Sequence, residues 1–253
     1  MKWYKRIFIE VYEYFNLVAR AFAGIVTPPF YPAETLRQME NIGVQSLPIV
    51  ILTSTFTGMI LSLQSGYAMA IFGAKIYIGT LVSLSLVREL GPVLTAIVVA
   101  GRIGAGTAAE LGSMVVTEQI DAMRAMATDP IKKLVSTRLL AGLLMIPLLN
   151  FIANLLGIVG GAFIGYSTFG ISMVFYKSTV IEALAVDDII MTTVKAVFFA
   201  AVIITMGCYS GLFVRGGTEG VGRATTKSVV MIIITILISD YFLTVLLLRI
   251  LPG

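Results

Sequence analysis

The chain has 253 residues, of which 58% are hydrophobic and only 13% are charged, against about a quarter charged residues in an average soluble domain. It has no histidine and one cysteine, Cys208, which excludes an intrachain disulfide, a serine–histidine or cysteine–histidine catalytic pair and the commonest metal ligand. The net charge is +4, but the basic residues stand beside apolar segments and indicate membrane topology rather than nucleic-acid binding.

The N-terminal segment, residues 1–24, is predicted to be an amphipathic interfacial helix. Apolar residues recur there at spacings of three or four, with charged residues between them, and this pattern is typical of a helix lying in the membrane surface. The apolar members are Trp3, Ile7, Val11, Phe15, Val18 and Phe22.

Five apolar segments follow, each long enough to cross a bilayer, which takes about 20 residues of helix. They form a transmembrane bundle over residues 44–249, within one domain that covers 1–253. The predicted fold class is therefore an all-α integral membrane protein. The expected spans are 44–70, 76–108, 136–166, 189–214 and 226–249.

The basic residues predict the orientation of the spans. One set of connections holds thirteen of them and the other holds Lys75, Lys177 and Arg249. Because basic residues stay on the cytoplasmic side, the N-terminus is expected inside and the C-terminus outside. The polar connection 167–188, with the acids Glu182, Asp187 and Asp188, is expected outside as a cap. The thirteen inner basic residues are Lys2, Lys5, Arg6, Arg20, Arg37, Arg102, Arg124, Lys132, Lys133, Arg138, Arg215, Arg223 and Lys227.

Four charges fall inside the predicted spans: Arg88 and Glu89 in the second, Lys195 in the fourth and Asp240 in the fifth. Charged groups are costly in hydrocarbon and normally face a cavity or a partner. Mutual pairing of two bases with two acids is one interpretation; a polar floor beneath an amphiphile, or a latch that rearranges, is the other. Neighbouring residues on a helix diverge by about 100°, so Arg88 and Glu89 are expected to meet different partners. The following Gly91–Pro92 pair favours a bend there.

Gly157, Gly161 and Gly165 form two overlapping G-x-x-x-G units in the third span. Such units let another helix approach closely. Packing within one subunit and packing between subunits both fit this pattern.

No catalytic site is predicted. The nearest approach to a phosphate-binding G-x-x-x-x-G-K-[ST] loop is Gly217 to Gly222, but Arg223 and Ala224 stand where Lys and Ser or Thr are needed. No cluster with metal-ligand spacing is present, so no metal is expected.

The segment 113–130, between the second and third spans, is predicted to be a short cytoplasmic helix that Pro130 ends. Its apolar face would carry Val116, Ile120, Met123 and Ala127, and its polar face Glu118, Gln119, Asp121 and Arg124. Docking in a groove of a soluble partner and lying on lipid are the two interpretations.

This region is similar to a known family. The stretches VRELGPVLTAIVVAGRIGAGTAAELGSM and TEQIDAMRAMATDP resemble the signature region of MlaE-family permeases. The resemblance continues through TGMILSLQ, RATTKSVV and SDYFLT, and so covers nearly the whole chain.

The resemblance implies the permease subunit of an ABC transporter in a bacterial inner membrane, with its C-terminus in the periplasm. Such a permease forms a homodimer with two ATPase subunits of the MlaF type, which bind ATP and Mg²⁺, so this chain needs no cofactor. A hexameric MCE-domain protein of the MlaD type is the periplasmic partner, and a STAS-domain regulator of the MlaB type can join through the ATPase. The implied cargo is phospholipid, moved to maintain outer-membrane lipid asymmetry.

The resemblance also assigns roles to residues. The first, second and fifth spans would form an outward-facing lipid pocket at the dimer axis, and the loop helix would couple the spans to the ATPase. Lys195, Lys227 and Asp240 match charged positions with a supporting role. The lipid-binding residues would be Leu61, Met69, Phe72, Arg88, Glu89 and Leu90. The coupling residues would be Glu118, Gln119, Ile120, Asp121, Ala122 and Met123.

Two other functions remain open at this level. An ion-coupled secondary transporter would use Glu89, Lys195 and Asp240 as a relay, although such transporters often contain two related halves and no repeat is evident. A structural scaffold for an MCE ring would need no substrate path.

Overall fold

The computed structural model describes residues 3–251, and side chains from residue 8 onward. All regular elements in this part of the chain are helical, which confirms the all-α class. Expectations for the side chains of Lys2, Trp3, Lys5, Arg6 and Ile7 lie outside the described residues.

The described chain forms eleven α-helices joined by short turns, π-helical turns and 3₁₀ turns. The π-helical turns cover Leu86–Leu90, Ala100–Gly104 and Ile131–Ser136. The α-helices are α1 (Trp3–Val26), α2 (Pro32–Ile42), α3 (Leu47–Ile71), α4 (Ile78–Ser85), α5 (Gly91–Val99), α6 (Ala105–Val116), α7 (Gln119–Ala125), α8 (Thr137–Phe169), α9 (Met173–Ala183), α10 (Val186–Leu212) and α11 (Gly217–Ile250).

Five helical segments of the described chain are long and apolar enough to span a membrane, and they confirm the five predicted spans. Several of the helical segments begin earlier in the chain than the predicted spans, because the helix extends into the polar residues that precede the apolar stretch. The segments are Pro32–Ile71, Lys75–Val116, Ile131–Phe169, Val186–Leu212 and Gly217–Ile250.

The contacts group the chain into two compact units. Unit 1 comprises the chain up to Val44, Val99–Met145 and Phe199–Ile236; unit 2 comprises Gln45–Val98, Ile146–Phe198 and the chain from Leu237 onward. The segments of unit 1 carry twelve of the thirteen basic residues that the sequence assigns to the cytoplasmic side; the remaining one, Lys2, lies outside the described residues. The orientation itself stays a prediction.

In unit 1, α1 packs along the π-helical turn Ile131–Ser136. Its inner face buries Leu17 and Ala21, and the hydroxyls of Tyr14 and Thr205 share a hydrogen bond of 2.9 Å. Burial raises the pKa of Tyr14, although the bond to Thr205 opposes the shift. The opposite face exposes Phe15 and its aromatic neighbours, as an interfacial helix requires.

In unit 2, the glycines of α8 contact other helices of the same chain. The backbone of Gly157 lies where a side chain at Gly58 would have to stand, and Ser62 Oγ donates to the carbonyl of Gly161 at 2.9 Å. Gly165 contacts the ring of Tyr176 on α9. The interpretation of the glycine motif as packing within one subunit is confirmed.

The connection predicted as a cap contains α9. Ser172 caps this helix by accepting from the N–H of Phe175, and Tyr176 is buried against α4 together with Ile171. This burial raises the pKa of the Tyr176 phenol.

Candidate functional site

The second span changes its helix type beside its charged residues. Leu86–Leu90 form a π-helical turn in which the N–H of Gly91 donates to the carbonyl of Leu86. Pro92 has no N–H and cannot donate to the carbonyl of Arg88, four residues earlier. Single π turns are frequent at functional sites. This turn leaves the carbonyl of Arg88 open to another donor.

Arg88 pairs with Asp188, which the sequence analysis assigned to the polar outer connection. Arg88 Nε donates to Asp188 Oδ1 at 2.5 Å, and Asp188 Oδ2 accepts from the N–H of Ala185 at 3.0 Å. The Asp188 side chain is only 1% exposed. That assignment is therefore corrected: Asp188 lies in the first turn of α10, where the helix dipole favours an acid, and its side chain is buried against Arg88.

Lys195, also on α10, contacts oxygens from two other spans. Its Nζ donates to the carbonyl of Arg88 at 2.9 Å and to Glu89 Oε2 at 2.7 Å. Asp240 Oδ1, on α11, lies 3.0 Å from the same nitrogen, in an ion pair without hydrogen-bond geometry. The Lys195 side chain is fully buried, so these oxygens replace the water that its ammonium loses.

Thr244 completes the contacts of Glu89. Its Oγ1 lies 3.2 Å from Glu89 Oε1, 3.3 Å from Glu89 Oε2 and 2.8 Å from the carbonyl oxygen of Asp240, one turn earlier. Its single hydroxyl proton can be donated to either residue. Glu89 thus contacts both α10 and α11.

We call Arg88, Glu89, Asp188, Lys195 and Asp240 the charge network. Its two bases and three acids give a net charge of −1 when all are ionised, rather than the balance that the four sequence-predicted charges indicated. Of the four predicted charges, Lys195 pairs with Glu89 and Asp240, whereas Arg88 pairs with Asp188, which is not one of the four. Arg88 and Glu89 therefore meet different partners, as expected. The Glu89 side chain is 39% exposed and that of Arg88 32%, so these two are the members most accessible to a ligand.

Buried polar groups of α8 and α10 support the network. The side-chain amides of Asn150 and Asn154 donate to Thr192 Oγ1 at 2.8 and 3.3 Å. Asn154 Oδ1 occupies the space that a side chain at Gly91 would need. Glycine at position 91 therefore allows α8 to approach the π-helical turn.

Three of the predicted lipid-binding residues lie together. Leu61, Met69 and Leu90 are half-buried and pack against one apolar cluster of unit 2. Phe72 stands apart at the end of α3 with 83% of its surface exposed. The structure packs three of the predicted apolar residues against the same buried cluster and leaves Phe72 outside it.

The predicted loop helix is shorter than 113–130. Residues 113–116 belong to the end of α6, and α7 covers Gln119–Ala125, because left-handed residues, Glu118 (φ 59°) and Ala127 (φ 55°), interrupt the helix on either side.

The apolar face of α7 is buried within the chain, at Ile120 and Met123, so these side chains cannot enter a partner's groove. Val116 is half-buried and Ala127 is exposed. The exposed surface of α7 and the residues next to it is mostly polar. It comprises Glu118, Gln119, Asp121, Ala122, Arg124, Ala125 and Met126, of which Met126 is 71% exposed.

Two residues of the site, Asp188 and Thr244, are not predicted from the sequence. A signal for Asp188 exists: it stands seven residues before Lys195, and residues two helical turns apart lie on one face. Thr244 stands one turn after Asp240 in the same way. Among residues 3–251, no group of three or more His, Cys, Asp or Glu side chains could hold a metal ion.

The apolar spans and their buried ion pairs define a multi-pass integral membrane protein. Residues 35–246 match the model of a family described as Permease MlaE. The chain belongs to the MlaE permease family.

Three relatives show the extent of the similarity. The chain is 41% identical over 242 residues to a protein of Rickettsia typhi named a probable ABC transporter permease protein, covering 96% of this chain and 93% of that one. It is 35% identical over 244 residues to the intermembrane phospholipid transport system permease protein MlaE of Haemophilus influenzae, covering 93% of each. It is 39% identical over 210 residues to the chloroplastic protein TRIGALACTOSYLDIACYLGLYCEROL 1 of Arabidopsis thaliana, covering 83% of this chain and 60% of that protein.

Proposed function

We propose that this chain is the permease subunit of an ABC transporter that moves phospholipid between a bacterial inner membrane and a periplasmic MCE-domain partner, and so maintains outer-membrane lipid asymmetry. The observation that carries the proposal is the 35% identity, over nearly the whole of both chains, to a relative named as an intermembrane phospholipid transport permease. The N-terminus is cytoplasmic and the C-terminus periplasmic in this proposal.

The lipid would bind beside the charge network. Arg88 and Glu89 are its partly exposed members, suited to contact a polar headgroup, and Leu61, Met69 and Leu90 offer an apolar wall to acyl chains. Phospholipid combines these two chemistries. Phe72, at the exposed end of α3, would meet lipid at the mouth of the pocket.

Energy would come from a partner. The permease would act as a homodimer with two MlaF-like ATPase subunits, which bind ATP and Mg²⁺, and with a hexameric MlaD-like MCE-domain protein; an MlaB-like STAS-domain protein would join through the ATPase. The polar face of α7 would contact the ATPase, through Glu118, Gln119, Asp121 and Ala122. Ile120 and Met123 would instead hold α7 on its own chain.

One observation favours a second candidate function. Glu89, Lys195 and Asp240 form a single ion-paired cluster, as a proton or sodium relay would need. In an ion-coupled transporter, uptake would depend on an ion gradient and not on an associated ATPase.

Native mass spectrometry of the chain, purified gently from its own membrane, tests the proposal. Two copies with two ATPase subunits and bound phospholipid are expected. A reconstituted complex should then transfer labelled phospholipid with ATP, and Glu89→Gln should slow transfer. A lone chain whose uptake follows an ion gradient would overturn the proposal in favour of the relay.

A further inference from the structure

A cavity of about 650 Å³ lies inside unit 1, between α1 and the adjoining ends of α10 and α11. Ligand-binding pockets usually measure about 300–1,000 Å³, so this cavity is large enough for a lipid headgroup with its glycerol. It shares no residue with the charge network.

The cavity wall changes from apolar to polar along the helices. Met206 and Met231 line it one turn deeper in the apolar parts of α10 and α11 than Ser210 and Lys227. Aromatic side chains of the wall contact one another: Tyr14 and Tyr209 have ring centroids 5.6 Å apart, and Tyr209 and Phe213 4.7 Å. Tyr209 stands beside Ser210, and Phe213 stands one turn beyond it, toward the basic residues. Aromatic residues followed by basic ones are typical of the membrane–water interface. The wall therefore has the polarity of an amphiphile.

The polar end of the cavity carries charges of both signs. Three exposed bases line it, namely Arg215, Arg223 and Lys227, and α1 contributes two acids, the exposed Glu10 and the half-buried Glu13. Arg223 lies 3.4 Å from the exposed Glu219. Among the described residues, no ion pair within 4.0 Å is found for Glu13, Arg215 or Lys227. A ligand that carries both charges would therefore find bases for its anionic group and an acid for its cationic group without first breaking an ion pair of these three residues.

We propose that this cavity binds a zwitterionic phospholipid with a primary ammonium, of the ethanolamine class. Its phosphate would lie toward Arg215 and Lys227 and its ammonium toward the Glu13 carboxylate, which accepts hydrogen bonds from N–H donors. The acyl chains would leave past Met206 and Met231. The bound lipid would fix α1 at the membrane surface, so the inference does not depend on the proposed transport function.

The test uses the full chain in detergent, titrated with phosphatidylethanolamine and phosphatidylglycerol of identical acyl chains, with lipid adducts counted by native mass spectrometry. Wild type is expected to prefer the ethanolamine lipid by about tenfold. Glu13→Gln should lower the affinity for the ethanolamine lipid, because it removes the acceptor of the ammonium, and so reduce that preference toward unity. The double variant Arg215→Gln/Lys227→Gln should weaken binding of both lipids.

Two controls separate this site from any other lipid site. Lys177→Gln, at an exposed base on α9 outside the cavity, should change neither affinity. An ethanolamine lipid with a photoactivatable acyl chain should crosslink to peptides from 206–231 or from α1. Equal binding of both lipids by wild type, an unchanged preference in Glu13→Gln, or crosslinks confined to other segments would each overturn the proposal.

Discussion

Arg88 Nε lies 2.5 Å from Asp188 Oδ1, which joins the π-helical turn of the second span to the first turn of α10. The carboxylate is buried, whereas the neighbouring Asp187 is not. Two adjacent acids of the same type therefore stand in different environments, with Asp188 buried and Asp187 half-buried.

Replacing these acids one at a time should measure what the ion pair contributes to stability. Both substitutions remove one negative charge, but only Asp188→Asn breaks the pair with Arg88. Asp188→Asn is expected to lower the free energy of unfolding by about 2 kcal/mol, because it removes the partner of a partly buried guanidinium. The loss is smaller than for a fully buried pair, since Arg88 is about one-third exposed. Thermal unfolding in detergent measures the change. Asp187→Asn is the matched control and should unfold like wild type; equal effects of the two variants would show that the ion pair contributes nothing.

Lys195→Met should destabilise the protein more strongly. The buried ammonium is paired with Glu89 and Asp240, and removing it leaves two carboxylates facing each other, a change worth about 3 kcal/mol. Adding Asp240→Asn to this variant should restore part of the loss, as the repulsion is relieved. Lys177→Met, at an exposed base, serves as the control in the same unfolding assay, and absence of rescue by the second substitution would contradict the pairing argument.

The sequence predicted the five spans, the amphipathic N-terminal helix and the positions of four network charges. These features can be read within a single segment, because the spacing of apolar residues marks a helix and a charge inside an apolar stretch is rare. It did not predict Asp188 as a member of the network, since an acid beside a polar connection has the same composition whether it is solvated or buried. The shortened loop helix was missed for a different reason: the left-handed backbone at Glu118 and Ala127 involves residues without a turn signature. Which face of α7 is buried depends on packing that only the structure shows.

Gly58→Ala tests the close approach of α3 and α8. The added methyl group would meet the backbone of Gly157, which cannot rotate away as a side chain could, so a destabilisation of about 1–3 kcal/mol is expected. Gly106→Ala provides the comparison. Gly106 lies in α6 with open space where the added Cβ would stand, so this substitution should be neutral or slightly stabilising. A Gly58→Ala variant as stable as wild type would mean that the two helices can separate without loss.

Substitutions on the polar face of α7 should weaken association with the proposed ATPase without disturbing the fold of this chain. Glu118→Gln combined with Asp121→Asn is expected to weaken co-purification of the ATPase several-fold, while membrane insertion and thermal stability stay unchanged, because both side chains are exposed. Ile120→Ala should do the reverse and lower stability by about 2–4 kcal/mol, as it opens a cavity beneath α7. Unchanged association in the double variant would place the ATPase contact elsewhere.

The hydrogen bond from Lys195 to the Arg88 carbonyl determines which substitutions can disturb it. Its acceptor is a main-chain atom, so every amino acid at position 88 supplies it. A substitution library at that position therefore changes the contact with Asp188 and keeps this hydrogen bond. Position 92 behaves differently: any residue other than proline adds an N–H that competes with the ammonium for this oxygen. The two positions can therefore be used to vary the two halves of the network independently, one through side-chain charge and the other through the backbone.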